Sequence, residues 1–221
     1  MTPDRRPALW AVLGVMVVLA AIVSAGDGGG PFQVNWVADG DTVLLADGRW
    51  IRYIGINTPE VATKDHPGEP LGQTARERNQ QLIGGYPLRL EFDRTLSDRY
   101  GRTLAYVYDQ RGQMLNETLA AEGLAYCLPL KPNDRYADRL LAAQRKAMAA
   151  RRGLWSMLSS DIGAVMGNSN SRRFHHRDCP YGKKISTKNR RPFPAAREAF
   201  HAGFAPDKQC LPASILFSVH P

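Results

Sequence analysis

Between Asp39 and Glu60 the chain gathers side chains that can hold a metal ion, grip a phosphate and handle a proton: Asp39, Asp41, Arg52, Asn57 and Glu60. A further arginine follows in Asp98-Arg99-Tyr100-Gly101-Arg102. Acids and an amide carbonyl can surround a hard divalent cation with oxygen ligands. A pair of arginines can clamp a phosphate through bidentate, charge-assisted hydrogen bonds, and a glutamate can orient or deprotonate water. Together these parts suit metal-assisted phosphodiester hydrolysis, which needs no histidine, serine or cysteine nucleophile. Taken singly, each residue has a plainer reading. Asp41 and Asn57 are common turn residues, and Arg52 and Arg102 could be surface partners of Asp41 and Glu60. The combination is what favours chemistry.

Short β-branched and aromatic runs must position these groups. Phe32 to Val37 reads as a strand, and Asp47-Gly48 is a tight-turn dipeptide between Val43-Leu44-Leu45 and Trp50-Ile51. Val61 to Leu71, with its prolines and mixed charges, reads as an exposed loop that could admit substrate beside Glu60. Gln73 to Ile83 is a helix stopped by Gly84-Gly85, and Leu88, Leu90 and Phe92 alternate as a half-buried strand. Thr103 to Tyr108 is another strand, and Met114 to Glu122 a short helix stopped by Gly123. Asn133 reads as the cap of a longer helix ending at Gly153. This order predicts an α+β fold, a small five-stranded barrel of the OB type with about three helices.

The quoted segments resemble the motifs of the staphylococcal-type thermonuclease family. They are Asp39-Gly40-Asp41-Thr42, Arg52 with Gly55 to Glu60, and Asp98 to Tyr106. The resemblance continues through Gly123-Leu124-Ala125, Lys131-Pro132-Asn133 and Gly153-Leu154-Trp155-Ser156, covering about residues 32–156. It implies an OB-fold, calcium-dependent nuclease acting on DNA and RNA and leaving 5′-hydroxyl and 3′-phosphate ends. By position, Asp41 and the backbone carbonyl of Thr58 would be calcium ligands, and Asn57 a third. Glu60 would position or activate water, Arg52 and Arg102 would bind the scissile phosphate, and Tyr100 with Arg99 would contact the substrate. Asn57 stands where the family usually has aspartate, which implies weaker calcium affinity. Leu128-Pro129-Leu130 replaces the family's usual base-contacting tyrosines, so base preference does not transfer.

At the other end, His175 and Cys179 are followed by Asp207 and Cys210. Paired ligand candidates on either side of a short segment are consistent with a tetrahedral zinc site. Residues 171–212 resemble the small metal-binding module of Ada-type DNA-repair methyl acceptors, with Asp207 where cysteine is common. The alternative is a Cys179–Cys210 disulfide stapling an exported module. Cys127, among Leu124, Tyr126 and Leu128, reads as a small core residue.

Charge is divided unevenly. The chain carries +8 over 221 residues, and residues 26–170 balance 17 basic against 17 acidic side chains. Residues 171–221 hold 10 basic and 3 acidic ones. Beside a neutral barrel, this basic segment reads as a clamp for DNA or RNA. Arg5-Arg6 before the apolar run Ala8–Ala25 predicts a signal peptide or an uncleaved membrane anchor. The product would then be periplasmic or extracellular, or held in the cytoplasmic membrane. No protein partner is evident.

The expected organisation is 1–25 signal or anchor, 26–31 linker, 32–156 thermonuclease-like barrel, 157–170 linker, 171–212 basic module and 213–221 tail. Competing readings are a non-catalytic OB-type nucleic-acid binder with Asn57 marking a disabled metal site, and an envelope-anchored protein using its tail on lipid.

Overall fold

The computed structural model describes residues 30–217. The expected export segment at 8–25 lies outside them, and among the described residues no helix is long and apolar enough to cross a membrane.

The chain opens with β1 (Val34–Val37), β2 (Thr42–Leu45) and β3 (Trp50–Tyr53), an antiparallel meander. The β2–β3 turn is tight because Gly48 takes φ 87° and the Asp47 carboxylate accepts the Arg49 N–H at 3.0 Å. Val43, Leu45, Ile51 and Tyr53 point into the core, while Trp36 and Trp50 face out. Next come β4 (Ile56–Asn57), α1 (Gly72–Ile83), β5 (Arg89–Glu91) and β6 (Thr103–Tyr108). The strand order β1-β2-β3-β6-β5 includes a parallel β3–β6 pair. An antiparallel bridge between Phe32 and Leu88, with N–H···O distances of 2.9 and 2.8 Å, joins the two ends of this sheet. That is the closed five-stranded barrel the sequence predicts.

After α2 (Leu115–Ala121), the short β7 (Tyr126–Cys127) pairs with β4, and α3 (Ala137–Ala149) packs across α2. Cys127 is a buried core residue, and burial pushes its thiol up to about 12. Asn133 does not cap α3, which begins four residues later. Its amide instead ties the loop before β6, accepting from Thr95 N and donating to Thr95 O, both at 2.7 Å.

The second half departs from the expected layout. The segment 157–170, expected as a linker, contains β8 (Val165–Asn168). With β9 (Arg173–His176), β10 (Arg190–Phe193) and β11 (Ala205–Pro206) it forms a sheet in the order β10-β8-β9-β11. The short α4 (Pro180–Lys183) and α5 (Ala196–His201) lie between these strands in sequence. The described part of the expected tail, residues 213–217, holds α6 (Ala213–Leu216), and Leu216 and Phe217 are buried in the core.

Nor is this unit a bead on a string. Tyr126, Met148, Leu154 and Trp155 of the barrel share one apolar cluster with Phe174, Phe193, Phe200, Phe204 and Phe217. The Phe200 ring meets Trp155 edge-on at 5.1 Å and Tyr126 at 5.6 Å between centroids. Buried Gln144 on α3 accepts from Cys127 N at 2.6 Å and donates to Phe200 O at 2.7 Å, joining the units by hydrogen bonds as well.

Candidate active site

The acidic corner is assembled by close backbone packing. A Cβ at Gly40 would fall 2.6 Å from Thr58 Cγ2 and 2.8 Å from Ala75 Cβ, so only glycine lets the Asp39–Asp41 corner sit against Thr58. Asp41, 4% exposed, accepts the Thr58 N–H at 2.7 Å and the Thr42 hydroxyl at 3.1 Å. Asp39 accepts the Asp41 N–H at 2.8 Å. Burial, reinforced by the charge of Asp41, pushes the Asp39 carboxyl up to about 7. A carboxyl raised in this way is eased by a cation beside it.

Arg52, projecting from β3 and 8% exposed, faces this corner. Its Nη1 lies 2.9 Å from Asp41 Oδ2 and donates to Tyr53 O at 3.0 Å. Its Nη2 donates to Ile56 O at 2.9 Å and to Asn57 Oδ1 at 3.1 Å. Asn57 is thereby held in one orientation. Its oxygen meets the Arg52 donor, and its nitrogen donates to Thr58 O at 2.8 Å and to the Tyr126 hydroxyl at 3.1 Å. Turning the amide over would set donor against donor and oxygen against oxygen.

Glu60 follows β4. Its backbone exchanges hydrogen bonds with Glu69, and a Cβ at Gly72 would collide with its carbonyl, so the start of α1 sits directly behind it. Its half-exposed carboxylate meets Lys208 Nζ at 2.7 Å. Arg102, immediately before β6, is held by Asp98 through Nε at 2.8 Å and Nη2 at 2.7 Å. Burial alone would raise Asp98, but the hydrogen bonds from Arg102 outweigh it and hold this carboxyl below its usual range. Tyr100 stands exposed on the rim, with Arg99 4.8 Å and Arg102 5.5 Å from its ring centre and the Arg99 guanidinium donating to its hydroxyl at 2.6 Å.

Asp39, Asp41, Arg52, Asn57, Glu60 and Arg102 line one cleft of about 750 Å³. A profile of the family described as "Staphylococcal nuclease homologue" matches residues 50–157. The thermonuclease of Staphylococcus hyicus is 39% identical over 128 residues, covering 57% of this chain and 75% of that protein. The thermonuclease of Staphylococcus intermedius is 35% identical over 161 residues, 64% of this chain and 95% of that one. The chain belongs to the staphylococcal nuclease family. Endonuclease YncB of Bacillus subtilis is a further relative, 37% identical over 123 residues, 53% of this chain and 58% of that one.

Within this nuclease fold the cleft brings together the barrel residues singled out from sequence: Asp41, Arg52, Asn57, Glu60, Arg99, Tyr100 and Arg102 line it, and Thr58 is bonded to Asp41 at its wall. Asp39, counted from sequence among the acids that could hold a metal ion but given no place among the expected calcium ligands, lines the cleft as well. Sequence reasoning missed Lys208 as a cleft residue, and it put Arg173 in a general basic cluster rather than here. This corner offers oxygen donors of the class a hard divalent cation takes: the neighbouring Asp39 and Asp41 carboxyls, and the carbonyl of Thr58, the residue whose N–H Asp41 accepts. The donor set fits calcium.

For the two cysteines the structure takes the alternative that the sequence offered beside zinc. Cys179 and Cys210 are joined in a disulfide with Cα atoms 5.9 Å apart, so neither offers the thiolate that zinc takes. His175 lies against the bridge, its Nδ1 3.4 Å from Cys210 Sγ and 4.0 Å from Asp207 Oδ1. Three of the four expected ligands, His175, Cys179 and Cys210, converge around this staple.

Proposed function

We propose that this member of the family is a calcium-dependent nuclease that hydrolyses DNA and RNA to 5′-hydroxyl and 3′-phosphate ends, and that the basic second unit helps hold the strand. The observation that carries this reading is the convergence of Asp39, Asp41, Arg52, Glu60 and Arg102 on one cleft. Export through the apolar run at 8–25 belongs to the same proposal.

Asp41, Asp39 and the Thr58 carbonyl would hold calcium. When bound, the ion supplies positive charge beside the phosphate oxygens as negative charge builds up there. Arg52 and Arg102 hold and neutralise the phosphate, each braced by a carboxylate that fixes its direction. Glu60 orients a water for attack on phosphorus and takes its proton as the new P–O bond forms. The P–O5′ bond breaks, and the departing oxygen gains a proton to give the 5′-hydroxyl. Tyr100 offers an exposed face on which a base can stack.

Asn57 tunes the ion site. Its amide nitrogen already satisfies the Thr58 carbonyl, a role that a cation would otherwise fill. Replacing it with aspartate would set two oxygens face to face, a repulsion that a bound cation relieves. The test is cleavage of single- and double-stranded DNA by protein stripped with chelator and titrated with calcium. Cutting should require calcium, fall about 10²–10⁴-fold in Glu60→Ala, and need roughly tenfold less calcium in Asn57→Asp. Binding without cutting at any calcium level would overturn the enzyme reading. Gain of cutting in Asn57→Asp alone would identify a nucleic-acid binder that lost its ion site.

A further inference from the structure

The second unit reaches the catalytic cleft itself. Lys208 and Arg173 belong to the sheet beyond the barrel, yet both line the same cavity as Arg52, Glu60 and Arg102. Their placement is built rather than accidental. Arg173 opens β9, where it pairs in register with Ala205 of β11. The turn after β11 carries Lys208, and it is pinned from both sides. Asp207 N donates to Phe174 O at 2.9 Å, and Cys210 is bridged to Cys179.

The two cations are in different states. Lys208 Nζ is 2.7 Å from Glu60 Oε1, but both side chains are nearly half exposed, 48% and 45%. An exposed pair of this kind is worth little and exchanges readily. Arg173 is more demanding, because its Nη1 is buried with no hydrogen-bond partner. A buried guanidinium nitrogen without an acceptor is costly, and the residue that carries it lines the cleft.

We propose that Lys208 and Arg173 form a phosphate subsite for the nucleic-acid strand, beside the scissile position, so that the second unit completes the substrate cleft. In the free protein Lys208 rests on Glu60. When the strand enters, a backbone phosphate draws Lys208 away and supplies the acceptor that Arg173 Nη1 lacks, leaving the Glu60 carboxylate free for water. This rests on the nuclease reading for its substrate class, but it differs from a remote basic clamp because it assigns the contact to two residues at the reacting centre.

The test is binding of a fluorescently labelled single-stranded DNA of about 12 nucleotides, within the usual span of such grooves, followed by anisotropy in chelator so that no turnover is needed. The full chain is used, since the shared core makes the second unit inseparable from the barrel. Lys208→Ala should weaken binding about fivefold and lower the slope of log affinity against log salt by about 0.7, the value for one phosphate contact on a single strand. Lys208→Glu should weaken it further, and Arg173→Gln should act in the same direction. Lys188→Ala removes an exposed charge of the same unit that does not line the cleft, and should lose less than Lys208→Ala. Wild-type affinity and slope in Lys208→Ala, or an equal loss in Lys188→Ala, would overturn the subsite. A wild type that binds but never cuts with calcium would instead overturn the nuclease reading, so the two failures are distinguishable.

Discussion

The barrel cleft and the second unit hold their charges in opposite ways. Around Asp41 and Asp98 each arginine has its carboxylate and each carboxylate its donors, down to the orientation of the Asn57 amide. Residues 26–170 carry no net charge at all. The second unit has a large positive surplus, an arginine nitrogen with no acceptor, and its order from aromatic packing and a disulfide. The contrast separates two jobs that charge can do. Balanced, mutually bonded groups hold a fixed geometry at the reacting centre, where preorganisation is what lowers a barrier. Unbalanced charge gathers a polyanion and is indifferent to its sequence.

The contrast would be blurred if the two regions were one cooperative body, and their shared core says that they melt together. Phe200→Ala removes a fully buried ring that touches Trp155 and Tyr126 of the barrel as well as Phe174 of the second sheet. It should cost about 3–5 kcal/mol and lower a single calorimetric transition. Two separated transitions, with the barrel's unmoved, would restore the view of independent domains.

A somewhat smaller effect should come from removing the staple. The bridge closes a loop with a sequence separation of 31, so Cys179→Ser with Cys210→Ser should cost about 3.7 kcal/mol. Reductant should then shift the wild-type melting temperature but not that of the double variant. If the bridge is dispensable, reduction will leave melting and salt-dependent binding unchanged.

The smallest effect is a pH dependence. Burial lowers the pKa of His175 against the opposing pull of Asp207, so the folded unit keeps it neutral. As pH falls through about 6.5 the unfolded chain takes up a proton that the folded one resists, and stability is lost; it rises with pH and flattens above. A single proton is at stake, so the slope is shallow. Melting temperatures between pH 5 and 8 should therefore slope less in His175→Gln, and parallel curves would refute the assignment.

Much of the barrel was legible because its signals are local. Asp47-Gly48 fixes a turn, and alternation at Leu88, Leu90 and Phe92 marks a strand. The site was legible because its residues cluster in two short segments. What escaped was either disguised or distant. β8 hides in a run of glycine, serine and asparagine, where Gly167 is needed to clear the rings of Phe193 and Phe204, its Cβ position lying 2.8 Å from one and 2.9 Å from the other. Asn133 has the chemistry of a helix cap but is spent on Thr95. Nothing near Lys208 in the sequence announces Glu60, 148 positions away.

That separation also sets an order of events. Chains emerge N-terminus first, and contacts between distant residues wait for the intervening loop to be made and closed. The barrel strands can pair while the last quarter of the chain is still missing, but the rings of Tyr126 and Trp155 then lack their cover. The cleft is therefore finished late, by residues synthesised well after the barrel that forms most of it.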